Sequence, residues 1–346
     1  MKCYLSRNYK GVSSSGYKAK TDMEDLMAGW GFRNIGLKRT FYPHVIVSFV
    51  LTLFGVLKAL VCLRKGDILF LQYPLKKYFS FICNVAHFKG CKIVILIHDL
   101  GSFRRKKLSV SQEIKRLEHA DYIIATNPAM QQWIKDRHCQ MPVGHLGVWD
   151  YLSVARPDAH KELPSPPYQI VYAGALSRRK NAFLYSWGEK IEGYSVNLYG
   201  SGFFLEEAKG REHFRIKGFV QSDTLIESVE GDFGLVWDGD SVETCCGDFG
   251  EYLQFNTPHK TSLYIRCGLP VIIWERAALA PFVQSNRLGL CIGKLEDLNR
   301  LLLSITVEEY REMRNNVLRM SDRISKGFYF KQAAEKAIAF LQTTNQ

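Results

Sequence analysis

Short runs of β-branched and other apolar residues alternate along this chain with longer stretches in which apolar positions recur at helical spacing. Such runs, bounded by glycine, proline or polar residues, read as strands buried on both faces, and the helical stretches read as crossovers of a parallel sheet. Six runs precede residue 150: CYLS (3–6), NIGL (34–37), DILFLQY (67–73), KIVILIH (92–98), YIIAT (122–126) and PVGHLGV (142–148). The alternation then stops. Residues 151–168, YLSVARPDAHKELPSPPY, hold four prolines and no apolar period, as a linker does. Six more runs follow: QIVYAG (169–174), SVNLYG (195–200), FRIKGFV (214–220), FGLVW (233–237), PVIIW (270–274) and LGLCIG (288–293).

The pattern predicts an α/β protein of two Rossmann-like, doubly wound domains facing each other across a cleft. The first spans 1–150, a linker 151–168 and the second 169–326. GFYF at 327–330 predicts a break before a last helix, 327–346, that crosses back onto the first domain. One segment stands apart. HVIVSFVLTLFGVLKALVCL (44–63) is nearly long enough to span a bilayer, yet Ser48, Thr52 and Lys58 interrupt it and strands flank it, so it is read as a buried helix of the first domain.

At 346 residues and 47% hydrophobic, the chain can fill two cores. Its nine cysteines are scattered and never spaced C-x-x-C, which reads as reduced thiols with no zinc site. The N-terminus lacks the apolar stretch of a signal peptide, so the expected location is the cytoplasm. A net charge of +12 calls for an acidic partner or surface. Basic clusters fall at LKKY (75–78), FRRKK (103–107) and SRRK (177–180). No nucleic-acid recognition motif accompanies them. Anionic lipid headgroups or a phosphorylated substrate fit the charge, and each cluster by itself also reads as a solvated face.

Ligands of open α/β sheets collect at the carboxyl ends of strands, where helix N-termini point. In NTPHKTSLYIRCGLPVIIW (256–274), Thr257 is the expected N-cap, Pro258 the first helical residue and Gly268 the stop. His259, Lys260 and Thr261 then lie in the first turn, where exposed N–H groups already carry positive partial charge. A lysine there is unfavourable unless an anion, such as a diphosphate, sits beside it; the other reading turns Lys260 sideways into water. His259 faces phosphate, sugar or solvent. Arg178 or Arg179 of SRRK would grip the same phosphates, or form a surface cluster. LYGSG (198–202) permits close backbone approach, but without a third glycine it is a weak dinucleotide signal. Asp99 of IHDL ends a central strand, where it would serve as general base or as cap of the next turn. Asp238-x-Asp240 resembles a D-x-D metal motif, although nearby basic groups could neutralise phosphate without metal.

These residues also carry a resemblance. YAGALSRRK, GLVWDGDSVETCCGDFGEYLQFNTPHKTSLY and LPVIIWERAALAPFV resemble blocks of bacterial O-antigen β-1,6-galactofuranosyltransferases of the GT-B class, and GYKAK (16–20) and LIHDL (96–100) also fit. A more distant likeness is to the streptococcal glucosyltransferase that extends adhesin glycans. The resemblance implies transfer of galactofuranose from a UDP-sugar donor to a hydroxyl of a lipid-linked glycan, with inversion. It implies nucleotide and diphosphate contacts by Arg178, Tyr199 and Lys260, and a first-domain contact around Gly16. Asp99 is then the candidate base, with Asp238 as competitor, and no cofactor or metal is obligatory. Peripheral contact with the inner face of the cytoplasmic membrane is expected from the charge. Self-association is left open. The competing readings are another UDP-hexose donor such as UDP-glucose, a non-catalytic sugar-nucleotide-binding subunit, and a nucleic-acid-binding protein.

Overall fold

The computed structural model describes every residue except 10–14, 76–77, 105–107, 159–161 and 344–346. The lysines of LKKY, the last three residues of FRRKK and the serines at 13 and 14 therefore lie outside the described residues. The chain forms two compact units, Met1–Trp149 with Gly327–Gln346, and Asp150–Lys326.

The first unit runs β1 (Lys2–Tyr4), α1 (Ser15–Gly29), β2 (Arg33–Asn34), α2 (Val45–Cys62), β3 (Ile68–Tyr73), α3 (Phe79–Phe88) and β4 (Lys92–Ile97). It continues with α4 (Gly101–Arg104), α5 (Val110–Leu117), β5 (Tyr122–Ala125), α6 (Pro128–Lys135) and β6 (Val143–His145). Its strands form one parallel sheet in the order β2-β1-β3-β4-β5-β6. The middle strands β3 and β4 are almost wholly buried, as their unbroken apolar runs require.

The second unit runs β7 (Tyr168–Ala175), α7 (Arg178–Asn181), α8 (Leu184–Trp187), β8 (Tyr194–Ser201), β9 (Phe214–Gly218), α9 (Ser222–Ser228) and β10 (Phe233–Val236). Then come α10 (Gly247–Gly250), α11 (His259–Arg266), β11 (Val271–Trp274), α12 (Ala280–Ser285), β12 (Gly289–Ile292), α13 (Asp297–Ser304) and α14 (Val307–Ser325). Its parallel sheet is ordered β12-β11-β10-β7-β8-β9. Each of the twelve apolar runs overlaps one of these strands, with ends that differ by at most three residues; the run at 34–37 meets β2 at Asn34 alone.

Gly327, at φ 76°, separates α14 from the last helix, α15 (Phe328–Thr343). That helix lies in the first unit, where Phe330 stacks on Trp30 with ring centroids 5.5 Å apart. Among its described residues the stretch expected as a linker carries no helix or strand up to β7, yet it is no loose tether. The guanidinium of Arg266, 3% exposed, donates to the carbonyls of Ser153 (3.1 Å) and Ala155 (2.7 Å), and Arg314 donates to Asp158 (2.8 Å).

The expectation for residues 44–63 needs correction. A helix forms over Val45–Cys62, but only Gly55, Val56 and Ala59 are buried. Uniform hydrophobicity marks a helix that ought to be covered, and here most of its surface is not.

Candidate functional site

The order of the second sheet reverses at β7 and β10. From β7 the chain steps outward to β8 and β9, and from β10 it steps the other way to β11 and β12. Crossovers on the two sides leave a crevice beyond the carboxyl ends of these two strands. Tyr172 lies on β7, Asp238 follows β10 by two residues, and α11 begins at His259.

These elements bring five polar side chains together. The Tyr172 hydroxyl lies 2.6 Å from Oδ1 of Asn181, 2.8 Å from the Trp237 carbonyl and 2.9 Å from Oδ1 of Asp238. Lys260 donates to that hydroxyl (2.9 Å) and to Asp238 Oδ1 (2.9 Å). Lys180 approaches the same Oδ1 at 3.3 Å. The backbone holds the two loops in register, because Gly239 N–H donates to the Lys180 carbonyl (2.8 Å) and Phe183 N–H to the Gly239 carbonyl (3.2 Å).

Two ammonium groups thus share one carboxylate. Burial pulls the Lys260 pKa down to about 8; Asp238 opposes this, and repulsion from Lys180 adds to it. Burial alone would raise the Asp238 carboxyl, but the attraction of Lys180 and Lys260 and the bonds from Lys260 and Tyr172 outweigh it, and its pKa is lowered. A carboxylate so held has little affinity for a proton, the opposite of what a general base requires. It is also poorly placed to hold a metal ion, with Oδ1 already engaged by two lysines; Asp240 is exposed.

Two details of the α11 start differ from expectation. Pro258, not Thr257, is the N-cap, with extended backbone (φ −61°, ψ 124°) and no side-chain capping bond. Lys260 is turned neither to water nor to an empty space, since Asp238 supplies part of the counter-charge inside the fold. His259 stacks on Tyr151, centroids 4.7 Å apart at 23°. Thr261 is fully buried, and its hydroxyl has no hydrogen-bond partner among the described residues.

Of SRRK, it is Lys180 that reaches the cluster. Arg178 is exposed, pairs with Glu207 (2.5 Å) and covers the Tyr185 ring, while Arg179 lies over Phe249. The amide of Asn181 donates to the Ala175 carbonyl (2.6 Å), and this bond turns the end of the single-turn α7 inward. Tyr199 is 6% exposed and its hydroxyl accepts from the Glu230 N–H (3.0 Å), which places it in strand packing rather than in the Lys260 cluster. Nor are the glycines of LYGSG a nucleotide fingerprint. A Cβ on Gly200, at φ 146°, would stand 1.9 Å from the Gly174 carbonyl oxygen, so glycine is required where β7 and β8 approach.

In the first unit, His98 and Asp99 follow β4 directly. The His98 ring lies flat on Trp149, centroids 4.5 Å apart, with Nε2 2.6 Å from the Gln72 oxygen. The Gln72 amide nitrogen donates to the Lys20 carbonyl (3.1 Å), so its oxygen faces His98 and Nε2 carries the proton. Asp99 is half-buried. Glu113 binds the first N–H groups of α4. This fully buried carboxylate accepts from Gly101 N (2.9 Å), Ser102 N (2.6 Å) and the Tyr73 hydroxyl (2.6 Å). Gly16, the second residue of α1, is exposed.

Sequence reasoning missed Tyr172, Lys180, Asn181 and Glu113. The signal for Glu113 was a charged residue beside Ile114 and Leu117, on the apolar side of α5. Tyr172 carried none, since a tyrosine in a strand is ordinary.

The N-terminal domain model of the glucosyltransferase 3-like family matches residues 2–148, and the C-terminal domain model matches 170–337. The chain is 34% identical over 333 residues to the beta-1,6-galactofuranosyltransferase WbbI of Escherichia coli K12, covering 95% of this chain and 96% of that one. It is 28% identical over 280 residues to Glucosyltransferase 3 of Streptococcus gordonii, 79% of each chain. Among solved structures, the apo lipopolysaccharide outer core galactosyltransferase WaaB matches with a TM-score of 0.61 at 13% identity, covering 98% of this chain and 99% of that one. At that identity the likeness speaks to the fold, two Rossmann-like domains of the GT-B class.

Proposed function

The chain belongs to the glucosyltransferase 3-like family and is a glycosyltransferase, and from that premise we propose that it moves galactofuranose from UDP-galactofuranose to a hydroxyl of a lipid-linked polysaccharide or O-antigen intermediate, inverting the anomeric carbon without a metal ion. The observation that carries the donor half is the pair of ammonium groups on Asp238 at the switch point of the second sheet. One carboxylate leaves a positive charge in excess beside an uncapped helix N-terminus, and a diphosphate is the group that balances both. As the glycosidic bond to UDP breaks, negative charge grows on the departing diphosphate. Fixed ammonium groups at that point stabilise the transition state more than the ground state.

Lys260 and Lys180 take the diphosphate in this reading, and Asp238 holds them in place. The acceptor hydroxyl needs a base, and Asp99 is assigned that role; Asp238 is withdrawn from it because its proton affinity is lowered. The donor sugar follows the Escherichia coli relative at 34% identity, and a glucose donor is the second reading because the Streptococcus gordonii relative is named a glucosyltransferase.

The test measures UDP release from UDP-galactofuranose and from UDP-glucose, with a glucoside acceptor, with and without EDTA. The reading expects acceptor-dependent release from UDP-galactofuranose that survives EDTA. Release only with metal would contradict metal independence. UDP binding without turnover would make the protein a sugar-nucleotide-binding subunit.

A further inference from the structure

Helix α2 is eighteen residues long, about 27 Å at 1.5 Å per residue. Gly55, Val56 and Ala59 hold it to the first unit, and the Lys89 ammonium donates to the carbonyls of Leu60 (2.5 Å) and Leu63 (3.1 Å) at its C-terminal end. The outer side is bare. Ile46, Val50, Phe54, Leu57 and Val61, spaced by three and four residues, make one exposed stripe along the whole helix, from Ile46 (67%) to Val61 (82%). On the neighbouring α3, Phe81 and Phe88 are also exposed, Phe88 at 92%.

The stretch of chain that carries this stripe is mostly basic, although Arg39 is paired with Asp25 and Lys92 with Asp121. Between residues 26 and 98 the chain has ten lysines and arginines and a single acidic residue, Asp67. Asp67 is 3% exposed and paired with Arg33 and the N-terminal amine, so it adds no negative charge at the surface. Lys38, Lys58, Arg64 and Lys65 are exposed.

A cavity of about 290 Å³ adjoins the N-terminal turns of α2. Arg7 and Tyr9 after β1, Lys20 on α1, Leu75 after β3, and Val45 and Phe49 of α2 are among its lining. It lies where the first sheet reverses direction, between β1 and β3, the position at which open α/β sheets take ligands. Its lining among the described residues includes two basic side chains, Arg7 and Lys20, and no acidic one.

We propose that α2 is a docking surface for an anionic phospholipid bilayer, lying in the membrane plane with its stripe among the acyl chains, and that the adjoining cavity seats the phosphate of a lipid headgroup. A second copy of the chain is the poorer occupant, because two such faces would oppose like charges. Attachment of α2 along its buried side and at its C-terminal end favours lying on the membrane over crossing it. The inference rests on the proposed function only in taking a lipid-borne acceptor to be what the membrane presents.

The test is co-sedimentation of the full chain with phosphatidylcholine vesicles, alone or mixed with phosphatidylglycerol. Wild type should bind the anionic vesicles at least about tenfold better, and Phe54→Ser with Val61→Ser should cut that binding about tenfold or more while UDP binding is unchanged. Arg7→Gln with Lys20→Gln should reduce the anionic preference. Equal vesicle binding by the α2 variant overturns the docking surface, as does a dimer in solution that the α2 substitutions dissociate while vesicle binding persists. An unchanged anionic preference in the Arg7 and Lys20 variant overturns the cavity's part. UDP titration reads the donor site separately, so either result leaves the transferase reading to its own test.

Discussion

Lys260 places its ammonium 2.9 Å from Oδ1 of Asp238, the oxygen that Lys180 approaches at 3.3 Å from α7. The charge of Lys260 is thus only half answered by the fold. Replacing it should cost the bonds it would make to a diphosphate. Lys260→Ala is expected to weaken UDP binding by about 10- to 100-fold, as loss of a charged hydrogen bond of roughly 1.5–3 kcal/mol requires, measured by calorimetry.

The depressed Lys260 pKa, about 8, gives that binding a pH dependence. A bound diphosphate favours the charged ammonium and raises its pKa, so binding takes up a proton where the empty protein has lost one. UDP affinity should hold below pH 8 and fall above it by up to about tenfold per pH unit, the limit for one linked proton. Calorimetry near pH 8.5 in two buffers of different ionisation enthalpy should show proton uptake in wild type and none in Lys260→Ala. Folding has the opposite sign. The unfolded chain holds the lysine proton up to its ordinary value of about 10.5, so the cost of burying this charge is full below pH 8 and is relieved as pH rises through that window.

Much of this organisation was legible in the sequence. The twelve strands were, because a run such as KIVILIH is too short for a helix and rich in β-branched residues between polar boundaries. The Lys260 anomaly was visible too, since the first turn of a helix has a known polarity. What could not be read was which way a side chain turns within a single turn of helix. Arg178, Arg179 and Lys180 are adjacent, and tertiary contacts, the Asn181 bond to the Ala175 carbonyl and the Gly239 N–H bond to the Lys180 carbonyl among them, accompany the inward turn of Lys180. Exposure of α2 was equally hidden, because hydrophobicity shows that a helix favours cover and not whether the fold supplies it.

Asp99 and Asp238 separate in a second experiment. If Asp99 takes the acceptor proton, Asp99→Asn should lower kcat by roughly 10²- to 10⁴-fold and leave UDP affinity unchanged. Asp238→Asn should instead destabilise the fold, because two ammonium groups lose their counter-charge, and UDP should raise its Tm by more than it raises that of wild type. Full activity in Asp99→Asn would remove the base assignment.

Gly200 has a prediction of its own. Alanine there must fit a Cβ 1.9 Å from the Gly174 oxygen at a φ that side chains rarely adopt, so Gly200→Ala should cost at least about 2 kcal/mol in denaturant unfolding. A neutral outcome would show that β7 and β8 separate easily.

The proposed transfer requires that lysines, without a metal, bind the leaving diphosphate at the switch point of the second sheet. Titration of UDP into the protein in EDTA tests it most directly, run beside Lys260→Ala and Lys180→Ala. Wild type should bind one UDP per chain, with both variants weaker and Lys260→Ala the weaker of the two. Binding that requires a divalent ion, or equal affinity in all three proteins, would contradict it.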